Sequence, residues 1–300
     1  MVSVVVGHDG WLFLGDDTNA SIRQFKGQLT IGETERLKWV AYHHDVNSLA
    51  SNVGCDHIFM IAPSKESIWT DYYPYKDEAD MAIIRYLSAF PHCVYQRDLL
   101  HSARNVFPTY PKTNTHWNDW GAYVSIRNIL ERVERKVPEI PRDEFEVRPG
   151  HFGDLGNKLD PQVSADTISH KSNFWDFRIY DNKIVNNGRV WIYENKAAIL
   201  DQVCLLYGDS FSTNLAKFLA RWFRRLVYVH TTPIDASFAL KEKPDLIIYE
   251  VAERFLIRAP TPMAKFNIKD VIAEKIRKEP PDLAAELITK QRELWPDFSC

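Results

Sequence analysis

The sequence predicts an α/β fold, a mainly parallel sheet flanked by helices. Two observations carry this. Short, fully apolar runs such as His57–Ala62 and Val203–Tyr207 alternate with stretches of helical spacing. Strands that are apolar throughout belong in a parallel sheet with both faces covered by helices. The polar residues that carry chemistry follow the apolar runs, and in such sheets function gathers at the carboxyl ends of the strands. With 300 residues and 45% hydrophobic content the chain can bury one large core. It reads as a single domain over residues 1–300, with a β-rich insertion at about 142–200 and a charged helical tail at about 267–300.

The elements follow in order. Gly7–Leu14 is a turn and a short apolar run, read as a hairpin arm or edge strand. Thr34–Ser51 is helical, with Leu37, Val40, Ala41, His44 and Leu49 as its buried stripe. The strand His57–Ala62 ends in the loop Pro63–Lys65. A helix over Asp77–Phe90 and a strand over His92–Tyr95 come next, then a polar loop, Thr109–Asn118. Asp119–Val137 is helical, with Asp119 as its cap, and Pro138 and Pro141 stop it. Within the insertion, Phe174–Tyr180 and Arg189–Tyr193 read as antiparallel strands around a polar turn. The α/β pattern resumes with the strand Val203–Tyr207 and a helix over Thr213–Arg224. Strands at Leu226–His230 and Asp245–Glu250 bracket a helix near Asp235–Leu240.

Composition narrows the function. The net charge of -3 gives no reason to expect nucleic acid or an anionic membrane as partner. Four cysteines without C-x-x-C spacing read as core hydrophobes or free thiols, and no metal site is expected. No apolar run approaches the roughly 20 residues that span a bilayer. The start, Met1–Val6, lacks the pattern of a signal peptide. As written the chain is expected to be cytoplasmic, or periplasmic if an upstream export segment was trimmed.

Ser210 lies in Gly208-Asp209-Ser210-Phe211-Ser212, between a strand and a helix. Amides at a helix N-terminus are unpaired and favour negative charge. A hydroxyl there can attack a carbonyl while those amides stabilise the oxyanion, with Gly208, Asp209 and Phe211 supporting the turn. The alternative is that Ser210 caps the helix. A serine nucleophile needs a neutral imidazole and a group that fixes its tautomer. Of ten histidines, His116 sits in a polar loop between Asn114 and Asn118, and His230 is second.

Lys112-Thr113-Asn114-Thr115-His116-Trp117-Asn118 resembles the D-T-H-W-N motif of the SGNH-hydrolase-like domain in alginate O-acetyltransferases of the AlgJ and AlgX type. Further segments match that pattern in one order over roughly residues 7–256. They are Gly10–Phe13, Pro63–Lys65, Gly153–Leu155, Gly208–Ser212, and Pro244–Asp245 leading to Glu253–Arg254. The resemblance implies an SGNH-hydrolase-like fold in which the His motif precedes the Ser. It also implies transfer of acetyl groups to polysaccharide hydroxyls through an acetyl-serine intermediate. Ser210 is then the nucleophile and His116 the base. The family's aspartate falls on Asn114, a departure. An amide can hold the imidazole but cannot stabilise the imidazolium by charge.

Lys65, Tyr73 and Arg254 are candidate substrate-binding residues. The two cations would meet a uronate or phosphate. Surface ion pairing, and for Tyr73 core or rim packing, are the alternatives. The expected function is a serine-dependent O-acetyltransferase or acetylesterase acting on a bacterial polysaccharide or glycan. The alternative is a weak or inactive glycan-binding or scaffold module. No tightly bound cofactor is expected. The acetyl donor would be a membrane-bound acetyl-transfer partner or acetyl-coenzyme A.

Overall fold

The computed structural model describes residues 3–75, 87, 90–172 and 174–300. The helix expected over Asp77–Phe90 lies largely outside these residues. The strands in chain order are β1 (Val4–Val6), β2 (Leu12–Leu14), β3 (Asp56–Ala62), β4 (Cys93–Tyr95), β5 (Phe145–His151), β6 (Ala165–His170), β7 (Arg178–Asp181), β8 (Arg189–Glu194), β9 (Leu200–Gly208), β10 (Phe223–His230) and β11 (Leu246–Ala252). Seven of them, β3, β4 and β7–β11, form a mostly parallel sheet flanked by helices. The fold class is the one the sequence predicts.

The chain divides into two compact units. The first comprises Met1–Val40, Ile58–Asn173 and Val251–Ala259. Here β3 and β4 pair in parallel, with Phe59 opposite Cys93 and Ile61 opposite Tyr95. After Asp56 every residue of β3 is buried, as a strand covered on both faces requires. β1 and β2 form the expected hairpin, Val4 opposite Leu14, and Leu12 and Leu14 pack on Leu155. A single helical turn, Lys65–Ile68, follows β3 where the sequence suggested only a loop. The helix Asp119–Arg132 stops short of Val137, with Glu134 at φ 57°. Its cap is Asn118 instead of Asp119: the Asn118 side chain accepts from Gly121 N–H at 3.0 Å. β5 and β6 form a separate antiparallel pair.

The second unit comprises Ala41–His57, Phe174–Glu250 and Pro260–Cys300. β9 lies between β10 and β11, parallel to both. β10, β8 and β7 follow with antiparallel pairing. The stretch expected to be β-rich, about 142–200, holds the strands β5–β8, and β7 and β8 pair antiparallel. Its second half, β7 and β8, extends the main sheet, while its first half makes the β5–β6 pair. The helix Ser212–Trp222 buries Leu215, Phe218, Leu219 and Trp222, the stripe its spacing predicts. The charged tail forms two helices, Ile268–Ile276 and Pro281–Arg292. Among the described residues no helix is long and apolar enough to cross a membrane.

Candidate active site

The first unit holds the histidine loop. Lys65 ends up beneath it. Its side chain is 1% exposed, and Nζ donates to the carbonyls of Pro111 at 3.3 Å, Lys112 at 3.1 Å and Asn114 at 2.7 Å. Three donors on three carbonyls use the full capacity of an ammonium group. Burial lowers Lys65 to about 7, against the opposing pull of Glu66 and Asp154. Lys65, expected to meet an anionic sugar, directs its ammonium group at the backbone leading to His116.

Other contacts fix the same loop. Leu12 N–H donates to Lys112 O at 2.9 Å, and the amides of Leu155 and Gly156 donate to Thr113 O at 3.0 and 3.2 Å. Gly153 has φ +64°, and a Cβ there would lie 2.3 Å from Thr113 O. Only glycine allows this approach in that conformation. Trp117 is buried. Asn118, considered as an orienter of His116, serves as a helix cap and donates to Pro108 O at 2.6 Å.

His116 Nδ1 lies 2.9 Å from Asn114 Oδ1, which also accepts from the His116 backbone N–H at 2.9 Å. Asp154 Oδ2 is 4.0 Å from His116 Nδ1. Asp154 accepts from Thr115 N–H at 2.7 Å and Thr115 Oγ1 at 2.6 Å. Burial pushes the Asp154 carboxyl up, but His116 and the two Thr115 hydrogen bonds outweigh it and hold it below the usual range. Burial lowers His116. Asp154 opposes this, while Arg254, Lys65 and Lys158 add to it. The imidazole is therefore neutral at pH 7, as a general base must be. Its side chain keeps 26% of its exposure, so the ring stays reachable.

Arg254 follows β11 and acts on His116 through its charge. Its neighbour Glu253 turns inward, accepting from Ser64 N–H at 2.7 Å and Ser67 Oγ at 2.9 Å. Burial raises Glu253 to about 7. Tyr73 shows packing, the alternative to sugar binding. Its ring is buried edge-on against Phe13 at 5.0 Å and Phe25 at 6.0 Å.

The second unit holds the serine turn. Ser210 lies between β9 and the helix Ser212–Trp222, half-buried. Phe211, at the cap position of this helix, has helical backbone angles and makes no side-chain cap. Asp209 braces the turn: its Oδ1 accepts from Phe211 N–H at 2.9 Å, and its carbonyl accepts from Ser212 N–H at 3.1 Å and Tyr228 Oη at 2.9 Å. The Phe211 and Ser212 amides thus donate within the turn. Sequence reasoning passed over Glu250. It is fully buried, and its Oε2 accepts from Asp209 N–H at 3.2 Å and Ser212 Oγ at 2.8 Å. The available signal was a carboxylate ending the apolar run Leu246–Tyr249. Gly208 makes room for it, since a Cβ there would sit 2.6 Å from Glu250 Oε2.

A family model described as "SGNH hydrolase-like domain, acetyltransferase AlgX" matches residues 4–242. No curated protein matches the chain by sequence. Among solved structures, the O-acetyltransferase domain of Pseudomonas putida AlgJ is similar with a TM-score of 0.57 at 17% identity, over 97% of this chain and 99% of that one. Bacillus cereus PatB1 has a TM-score of 0.65 at 15% identity, over 89% of this chain and 100% of that one. A DHHW family protein from Eubacterium siraeum has a TM-score of 0.57 at 14% identity, over 89% and 98%. At these identities the structures speak for the fold alone, whereas the match over residues 4–242 reaches the family. With that match, the histidine loop and the serine turn stand on an SGNH hydrolase-like frame, and the chain belongs to the AlgX acetyltransferase family.

Proposed function

We propose that this chain is a serine-dependent O-acetyltransferase that esterifies a hydroxyl of a polysaccharide or glycan, with acetyl-ester hydrolysis as the same chemistry using water. The observation that supports it most is the state of His116: neutral, with Nδ1 on the Asn114 oxygen, leaving Nε2 to accept a proton. In this reading Ser210 Oγ attacks the acetyl carbonyl of the donor and its proton passes to His116 Nε2. The bond to the donor oxygen or sulfur breaks, and the leaving group takes that proton. The glycan hydroxyl then attacks acetyl-Ser210, giving its proton to His116. Collapse releases the acetylated glycan and returns the proton to Ser210.

Turnover of p-nitrophenyl acetate tests this. The parent chain should hydrolyse the ester, and its acid limb should lie well below the ordinary histidine value of about 6.5, because burial holds His116 down. Ser210→Ala should lose about a thousandfold or more. Equal rates for parent and variant would sink the reading. They would favour a glycan-binding module instead, the alternative to which Asn114 in place of the family's aspartate points.

A further inference from the structure

We propose that this chain divides between two residues the work that one carboxylate does in a Ser-His-Asp triad: Asn114, its amide turned by His151, fixes the His116 tautomer, and Asp154 supplies the negative charge. The proposal rests on the reading of His116 as the base.

The hydrogen bonds settle which end of the Asn114 amide faces the ring. The His116 backbone N–H can only donate, and it lies 2.9 Å from the Asn114 atom that also faces Nδ1. That atom is therefore the oxygen. An amide oxygen can only accept, so His116 Nδ1 carries the proton and Nε2 keeps its lone pair. The other end of the amide, an NH2 group, is 3.1 Å from His151 Nε2. A donor on that side requires His151 Nε2 to accept, which puts the His151 proton on Nδ1. His151 thus favours the one amide orientation that suits a base. Burial also holds His151 below its ordinary value, against the pull of Asp154, so it stays neutral.

An amide carries no charge to stabilise the imidazolium. Asp154 does, and its Oδ2 is 4.0 Å from Nδ1. Thr115 holds it there through two hydrogen bonds, and Thr115 Oγ1 itself lies 3.3 Å from His116 Nδ1. Both partners come from one short segment, His151 and Asp154, on either side of Gly153. A Cβ on Gly153 would lie 2.9 Å from Asn114 Cβ, so the glycine lets this segment close on Asn114. Among the charged groups that act most on His116, Asp154 is an anion, while Arg254, Lys65 and Lys158 are cations.

The test is the titration and tautomer of His116 and His151, read by nuclear magnetic resonance on the full chain, beside turnover of p-nitrophenyl acetate. Asp154→Asn should make His116 titrate about one pH unit or more lower and cut turnover about tenfold. Asn114→Asp combined with Asp154→Asn keeps the net charge and moves it to the 2.9 Å position. That pair should lift the His116 midpoint above the parent's and return turnover to the parent level or higher. An Asp154→Asn midpoint equal to the parent's, or a double variant as low as Asp154→Asn, would overturn the charge assignment. A protonated His151 Nε2 in the parent would overturn the amide assignment, and that reading needs no substitution to fold. If midpoints move as stated while no variant turns over ester, the acetyl-transfer reading fails and the division of work stands.

Discussion

Two buried ionisable residues, Lys65 and Glu253, set the conditions around the histidine loop. Lys65 neutralises nothing in solvent; it gathers three carbonyls of the loop. Replacing it by an apolar residue would remove the Lys65 donor from the Asn114 carbonyl, a penalty of about 1–3 kcal/mol, while Lys112 O keeps the Leu12 N–H and Pro111 O the Asn114 N–H. Glu253 has a consequence for stability. Folded, it holds its proton up to about 7, while its ordinary value is 4.5. Between those values Glu253 is protonated in the folded chain and ionised in the unfolded one, so its own contribution to stability falls as pH rises, while the lowered His116 works in the opposite sense up to about 6.5. Glu253→Gln should flatten that decline by up to about 1.4 kcal/mol per pH unit. Denaturant unfolding at several pH values across this window checks it, and a slope equal to the parent's would mean that Glu253 is ionised in the fold.

Among the elements, the helix Ser212–Trp222 carries the serine turn by packing. Leu219 and Phe218 are fully buried, on the stripe that the sequence spacing marks. Leu219→Ala should cost about 2–5 kcal/mol, measured by chemical unfolding. A loss under about 1 kcal/mol would contradict tight packing of this face. Long periodic elements of this kind were legible because burial enforces their spacing. Short ones were not. The turn Lys65–Ile68 is fully buried, yet it has too few residues to show a period. The cap shift from Asp119 to Asn118 turns on a single backbone residue, and both side chains suit the position. β7 and β8 read from sequence only as an antiparallel pair around a polar turn. Nothing local says whether such a pair extends the main sheet.

For the whole molecule, the order of motifs along the chain told more than any one of them. It led from the residues to the fold and to the acetyltransferase family that the match over residues 4–242 establishes. The roles of Lys65, Tyr73 and Glu250 stayed hidden because each depends on a partner distant in sequence: Lys65 on Asn114, Tyr73 on Phe13, Glu250 on Asp209. A residue type suggests chemistry, but burial decides whether that chemistry faces substrate or backbone. The acetyl-transfer account makes the serine hydroxyl the atom that carries the acetyl group. Peptide mass spectrometry of the chain, quenched during turnover of p-nitrophenyl acetate, reads this directly. The account predicts an acetyl group on Ser210 that is absent from Ser210→Ala; ester turnover with the acetyl group on another residue, or on none, would contradict it.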